Sequence, residues 1–386
     1  MLDRSQLEAQ TQKYLGYLEQ DPNNLNLLAE VSGLKLQLGE LMEAQRYAEQ
    51  GLTLSPGDPH FLFQLSNIAI AESRFEDAVR ILESIRANGT NAPAVECNLA
   101  HALLFLGKYA EARDLLKPIA GAAEASTAPK LLVRAHHYLG EVEEAIAFAL
   151  AYLETHPEDA EMMGMLSSLY LDNDDSEHAS LWAKRATTLN PDCAEALTTS
   201  GSIALGLEDE DTARANLSRA VELNPRSGRA WAGLGLTEML SFDLPKAKQD
   251  LQQSVTHMSN HIGTWHALAW CQMMQGDLDG AQESFNKSLD IDHNFAETHG
   301  GLASVAAMQG KYDEARRLVE IALRLDPQSY AARFAQIVML QAQGKQDVAA
   351  PILQSALRAQ TVPGGGTLID MLGRVVAKRK GPELRK

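Results

Sequence analysis

Little in this chain is built for chemistry. Of its 386 residues only three are cysteine: Cys97, Cys193 and Cys271. They are far apart and odd in number, and none forms a CxxC pair. No disulfide framework is encoded, which fits a reducing compartment. Basic residues are the minority: 34 Lys and Arg against 51 Asp and Glu leave a net charge of -17. Such a surface stays soluble and repels phosphate backbones, so nucleic acid is not an expected partner. No apolar run approaches the length of a membrane span, and no membrane insertion is expected. The opening Met1-Leu2-Asp3-Arg4-Ser5-Gln6 lacks a basic run followed by an apolar core, so no signal peptide is expected. These absences together point to a cytoplasmic protein.

Catalytic signatures are missing too. There is no Gly-rich phosphate loop, no G-x-S-x-G elbow and no H-E-x-x-H pair. Cys97 and His101, four residues apart, share a helix face that His137 could approach, but no fourth ligand accompanies them. The acidic run Asp172-Asn173-Asp174-Asp175-Ser176-Glu177 lacks the glycine and the glutamate that a calcium loop requires, and it reads as a capped turn. No catalytic residue, metal or cofactor is expected.

What is present is repetition. Gly310-Lys311-Tyr312-Asp313-Glu314-Ala315-Arg316 is a near copy of Gly107-Lys108-Tyr109-Ala110-Glu111-Ala112-Arg113. Alanine recurs at Ala44, Ala78, Ala112, Ala145, Ala179, Ala213, Ala247, Ala281, Ala315 and Ala349. The stride is 34 residues throughout, save 33 between Ala112 and Ala145. A fixed period of that size marks a solenoid of repeats, in which each unit packs only on its neighbours.

Ten units follow from the ladder: 25–58, 59–92, 93–125, 126–159, 160–193, 194–227, 228–261, 262–295, 296–329 and 330–363. Each reads as helix, short turn, helix. Gly39, Gly107, Gly140, Gly276, Gly310 and Gly344 sit in the turns, where a helix C-terminus favours a left-handed backbone. Acidic or proline residues often follow, suited to starting the next helix. Residues 3–20 form one amphipathic helix with Leu7, Tyr14, Leu15 and Leu18 on one face, read as an N-terminal cap within residues 1–24. After Pro363-Gly364-Gly365-Gly366, a last helix over about 367–379 and a basic tail make a C-terminal cap within 364–386. Pro118 interrupts the second helix of the 93–125 unit, and Pro129 suits the first turn of the next. The stretch 118–129 is therefore either a local irregularity or a hinge.

This pattern resembles the tetratricopeptide repeat (TPR) family over nearly the whole chain. Trp265, Leu268, Ala269, Ala281, Phe285 and Ser288 carry the family's motif in one unit. Trp231, Leu234, Gly235, Ala247, Leu251 and Ser254 carry it in the unit before. Ser200 and Gln336 replace the motif's leucine, and Thr90, Glu124, Ser259, His293 and Thr361 its closing proline. The resemblance implies an all-α, right-handed superhelix of about ten helix-turn-helix repeats, with first helices lining a concave groove. It also implies a non-enzymatic scaffold or chaperone-like adaptor that holds a partner peptide or helix, in work such as assembling a secretion or envelope component. An accessory subunit recruiting substrate to a separate enzyme is the alternative.

Helical spacing on the first helices picks two candidate surfaces. One is polar with a basic end: Asn67, Asn98, His101, Lys130, Arg134, His137 and Tyr138. The asparagines resemble those with which some family members hold a peptide backbone, and the cations could pair with a carboxylate. The other is apolar: Leu236, Met239, Leu240, His266, Trp270, Met273, Met274, Met308 and Phe334, with Ser304 and Val338 beside them. Glycines 233, 263, 300 and 301 are expected to widen it. Methionine adapts its shape, so this stretch would suit an amphipathic helix. Trp231 and Trp265 occupy the family's packing position and are assigned to the core.

Overall fold

The structure, a computed structural model, describes residues 3–89, 92–358, 360–362 and 366–367. The expected C-terminal helix and basic tail, from residue 368 on, lie outside the described residues. Apart from a short antiparallel pairing of β1 (Gln360–Val362) with β2 (Gly366–Thr367), every regular element described is helical.

The helices fall into two compact units that divide after Asp174. The first opens with α1 (Arg4–Gln20), then the hairpins α2–α3 (Leu25–Gln37, Leu41–Leu54), α4–α5 (Pro59–Ala71, Phe75–Ala87), α6–α7 (Pro93–Phe105, Tyr109–Leu116) and α8–α9 (Ala128–Tyr138, Val142–Thr155). It closes with α10 (Ala160–Asp172). The second begins with α11 (Ser176–Leu189) and continues through α12–α13 (Ala194–Gly206, Glu210–Leu223) and α14–α15 (Gly228–Leu240, Leu244–His257). Then come α16–α17 (Ile262–Met274, Leu278–Ile291), α18–α19 (Ala296–Met308, Tyr312–Leu325) and α20–α21 (Tyr330–Ala342, Gln346–Arg358). Within each unit a first helix packs on its own second helix and beside the next first helix.

The alanine ladder is the spine of this packing. All ten rungs are buried on the second helices. A methyl is the largest group that lets two helix backbones approach so closely. In the first hairpin the Ser32 hydroxyl donates to the Ala44 carbonyl at 2.8 Å. Bulky side chains fill the space beside the rungs. Leu82, Leu99 and Leu116 are fully buried in one cluster, each worth about 2 kcal/mol of burial.

The turns repeat as strictly as the alanines. At ten positions, Gly39, Ser73, Gly107, Gly140, Asp174, Glu208, Phe242, Gly276, Gly310 and Gly344, the backbone φ is positive. The next amide then reaches back to the first helix, as in Asp277 N to Gln272 O at 2.9 Å and Lys311 N to Ala306 O at 2.9 Å. This left-handed residue lets the chain reverse while pairing carbonyls that the helix end would leave open. An aspartate then starts several second helices: Asp175, Asp209, Asp243 and Asp277 each accept from a backbone N–H three residues on.

Phe242 is the costly member of this set, since a bulky side chain at φ 59° crowds its own carbonyl. Phe242→Gly is expected to stabilise the second unit by about 1 kcal/mol, because the relief of crowding exceeds the extra chain entropy of glycine. Thermal unfolding of the two proteins tests it. An unchanged or lowered midpoint would mean that the ring's packing outweighs its backbone cost.

Pro118 acts as its chemistry demands. α7 stops at Leu116, and Lys117–Ile119 form a single tighter turn. A second such turn, Ala123–Ala125, leads into α8, with Pro129 in its first turn. Ile119 and Ala125 are buried in the same cluster as Leu116 and Leu132.

Candidate functional site

In the first unit the polar residues come together, and they are already partnered. The Asn98 amide donates to the Asn67 carbonyl oxygen, which joins α6 to α4. His101 sits one turn further along α6, its ring 5.3 Å from that of Phe105. Burial, helped by the nearby Arg134 guanidinium, pushes its pKa down and keeps the imidazole neutral.

Lys130, at the start of α8, lies between two carboxylates, 3.2 Å from Asp159 and 2.6 Å from Glu161. Burial works against its charge, but these two partners outweigh it and raise its pKa. Asp159 is itself tied down. It caps α10 through Met162 N at 3.0 Å and accepts from the Tyr152 hydroxyl at 3.1 Å. His137 Nε2 lies 2.7 Å from Asp172 Oδ2, and its ring is parallel to that of Tyr138, which is exposed and packs at 4.9 Å from Tyr109. Lys130 therefore meets its carboxylates inside the chain.

The Cys97, His101 and His137 set does not assemble. Cys97 is buried with its sulfur 3.2 Å from the Thr127 hydroxyl, and burial raises its thiol pKa. Among the described residues no group of three His, Cys, Asp or Glu side chains could hold a metal ion.

The apolar residues in the second unit divide by exposure. Leu236 is 38 % exposed, Met274 45 %, Met308 42 % and Phe334 39 %. Met239, Leu240, His266 and Trp270 are half-buried. Met273 is buried in the cluster that contains Phe285, so its side chain offers nothing to a partner. His266 is also used for packing. Its ring meets Phe285 at 5.2 Å and Phe295 at 5.4 Å, both edge-on, and Nε2 lies 2.9 Å from the Thr298 hydroxyl. Burial pushes its pKa down to about 4, so it is neutral at physiological pH.

Trp270 is the centre of what remains. Its indole meets Phe285 below at 6.0 Å and Phe334 at 5.6 Å, both edge-to-face. The second contact joins α16 to α20 across α18, where the first helix carries small residues. Gly300 allows this. A Cβ there would fall 2.5 Å from Ala332 N, so α18 and α20 touch backbone to backbone, and Ser304 Oγ bonds Ala331 O at 3.1 Å.

The glycines expected to widen a groove thus do another job. Gly301 makes room for the Phe285 ring, and Gly233 abuts Leu217. A Cβ on Gly263 would meet only its own turn's His261. Trp231 and Trp265 are packing residues with one addition: each indole donates to a carbonyl of the preceding turn, Pro225 at 2.9 Å and Ser259 at 2.7 Å.

Sequence reasoning missed a buried acidic group between α14 and α15. Glu238 Oε1 lies 3.0 Å from Arg214 Nε and 2.6 Å from Lys246 Nζ. Burial opposes its charge, and these cations overcome it. Asp250, also buried, has one carboxylate oxygen with no hydrogen-bond partner, and burial pushes its pKa up to about 6. The signal was an acidic residue one position before the motif's Leu251, where the following unit has Ser284.

Among the described residues no helix is long and apolar enough to cross a membrane. No curated protein matches the sequence. Among solved structures, the chain is similar to one in the APC/C hetero-tetramer Cut9-Hcn1. Identity is 16 % and the TM-score 0.61, over 82 % of this chain and 63 % of that one, so it spans less than two thirds of that relative. It is also similar to YrrB, described as a TPR protein with an unusual peptide-binding site. There identity is 20 % and the TM-score 0.40, over 49 % of this chain and 97 % of that one. For MamA the values are 20 % and 0.38, over 42 % and 95 %. Models described as tetratricopeptide repeat match residues 97–160, 160–193, 194–227, 262–295 and 301–362, together more than half of the sequence. With the alanine spine and the repeated turn behind them, these matches show that the chain belongs to the tetratricopeptide repeat family, whose arrays are scaffolds for protein–protein interaction.

Proposed function

We propose that this chain is a non-enzymatic adaptor that holds an amphipathic segment of a partner protein against the first helices of its second unit. The observation that carries the reading is the exposure of Leu236, Met274, Met308 and Phe334 around the half-buried Trp270 in so acidic a protein. Chaperone-like handling of a client during assembly is the use such a surface suits. The polar surface of the first unit has a lesser part. Lys130 is matched within the chain, and the exposed Tyr138 and Phe105 rings serve as the surface's contact groups.

Native capture with mass spectrometry tests the reading, with full-length wild type beside Leu236→Glu/Met274→Glu/Met308→Glu. These three side chains are already exposed, so the variant should keep its circular dichroism. A protein captured by wild type and lost by the folded variant supports the apolar face. Once that partner is purified, Trp270→Ala should weaken its binding by about 2 kcal/mol, roughly thirtyfold. Equal capture by both proteins would refute the reading.

A further inference from the structure

Two pairs of aromatic rings stand at one edge of the first unit. The Phe105 ring, at the end of α6, stacks parallel on that of Phe75, at the start of α5, with centroids 4.4 Å apart. Tyr138, at the end of α8, meets Tyr109, at the start of α7, at 4.9 Å. Phe105 and Tyr138 are 33 residues apart, the same stride as Ala112 to Ala145, so they hold one place in successive repeats. Phe75 and Tyr109 pack against the core cluster, while Phe105 is 59 % exposed and Tyr138 56 %. The repeat does not demand a ring there: the same place holds Ala71 in the unit before and Asp172 in the unit after.

Charge selects what would cover these rings. Residues 71–77, 105–111 and 138–144, the turns that carry them, hold seven acidic and two basic side chains. Glu76, Glu143 and Glu144 are exposed. The two basic ones already face carboxylates of their own turns, Arg74 at Glu72 and Asp77, Lys108 at Glu111. Arg134, one turn before Tyr138, is an opposing charge, and the acidic side chains outnumber it. Residues 1–174 hold 26 acidic side chains against 12 basic, so most of the chain's -17 lies in this unit. A cation is drawn to such an edge, and an aromatic face attracts it further. Guanidinium fits best, because it is flat, weakly hydrated and stacks on rings. Spacing sets the rest. α6 and α8 pack side by side, and packed helices stand about 8–10 Å apart. An extended chain sets residues three apart at about 10 Å.

We propose that Phe105 and Tyr138, with the carboxylates around them, dock an extended basic segment of a partner protein, whose arginines, three residues apart, lie on the two rings. This surface shares no residue with the apolar face of the second unit and does not depend on it.

The test measures fluorescence anisotropy of a short labelled peptide, with arginine at every third place among glycine and serine, on the full chain. Wild type should bind it at least about fivefold more tightly than the same peptide with lysine, which carries equal charge. Phe105→Ala/Tyr138→Ala removes two exposed rings and no charge, and should weaken binding about tenfold. Phe105→Leu/Tyr138→Leu should do the same while keeping an apolar cover on Phe75 and Tyr109, which guards against a folding defect. Tyr17→Ala, an exposed ring elsewhere in this unit, should leave affinity unchanged. Glu76→Gln/Glu143→Gln/Glu144→Gln should weaken binding and flatten its dependence on salt. Equal binding of the two peptides, or equal binding by the ring variants, would overturn the proposal by showing attraction to bulk charge alone. So would no measurable binding by wild type. Light scattering that shows a wild-type dimer split by the leucine variant would also overturn it, since a second copy would then be the occupant.

Discussion

Gly300→Ala is expected to destabilise the end of the second unit by about 2 kcal/mol, and Gly300→Val by more. A helical glycine usually costs about 1 kcal/mol relative to alanine, so the substitution should help if propensity ruled. Here it does not rule. The added Cβ would sit 2.5 Å from Ala332 N and 2.9 Å from Ala331 C, and these are backbone atoms that cannot rotate away. α20 must move off α18 as a body. That movement would pull Tyr330 N and Ala331 N from the Glu297 carboxylate, which accepts them at 2.8 and 2.9 Å, and break the Ser304–Ala331 bond. It would also part Phe334 from Trp270, so tryptophan fluorescence should change with stability.

Gly33→Ala is the control. Its nearest neighbour would be the Gln64 amide at 3.8 Å, and a gain of about 0.5–1 kcal/mol is expected. Because repeats hold only their neighbours, hydrogen exchange should quicken in α18 to α21 of the Gly300 variants and not in the first unit. A Gly300→Ala protein as stable as wild type would show that α18 and α20 do not depend on this contact.

The same glycine shows where sequence reading reaches its limit. The repeat, its helix-turn-helix unit and the alanine spine were legible, because a 34-residue period imposes one packing rule ten times. All ten alanines are buried as that rule requires. The turns were half legible. Glycine announced six of them, but Ser73, Asp174, Glu208 and Phe242 adopt the same left-handed backbone without glycine's signature. There the fold overrides a local preference worth only about 1 kcal/mol.

Candidate surfaces were less legible, because helical spacing gives a direction and not a neighbour. Gly300 and Gly301 are adjacent in sequence, yet one meets a backbone and the other the ring of Phe285. Met273 and Met274 differ by one position, and one is buried while the other is exposed. Lys130 reads as a free cation until Asp159 and Glu161, 29 and 31 residues on, are placed beside it.

Asp250 should make the second unit less stable as pH rises from about 4 to 6, and Asp250→Asn should remove that loss. The sign follows from where the proton is held. In the unfolded chain the carboxyl titrates near its ordinary value of 3.8, and in the folded protein at about 6. Below the lower value both states are protonated and the group contributes nothing. Between the two values folding takes up a proton. Above the upper value both states are ionised, and the folded state carries the full cost of the buried charge, on the order of 2–3 kcal/mol. Burial is the main cause. The Glu238 and Asp243 carboxylates add to it, and the Lys246 ammonium opposes it without reaching the orphaned oxygen.

Asp250→Asn should therefore raise the unfolding midpoint at pH 7.5 and raise it much less at pH 4.5, where only about a third of the cost has set in. Asp250→Ser should act the same way, because the next repeat uses that residue at the equivalent place. There Ser284 Oγ and the Gln272 amide hydrogen-bond at 2.7 Å in a pair that carries no charge. Glu238→Gln separates the causes. It removes a neighbouring negative charge, so the Asp250 titration should move down and the pH slope shrink, while the loss of the Arg214 and Lys246 pairs lowers stability at every pH. A wild-type slope that persists in Asp250→Asn would mean that another group takes up the proton. An asparagine variant less stable than wild type at pH 7.5 would mean that the ionised carboxylate is held by a favourable contact.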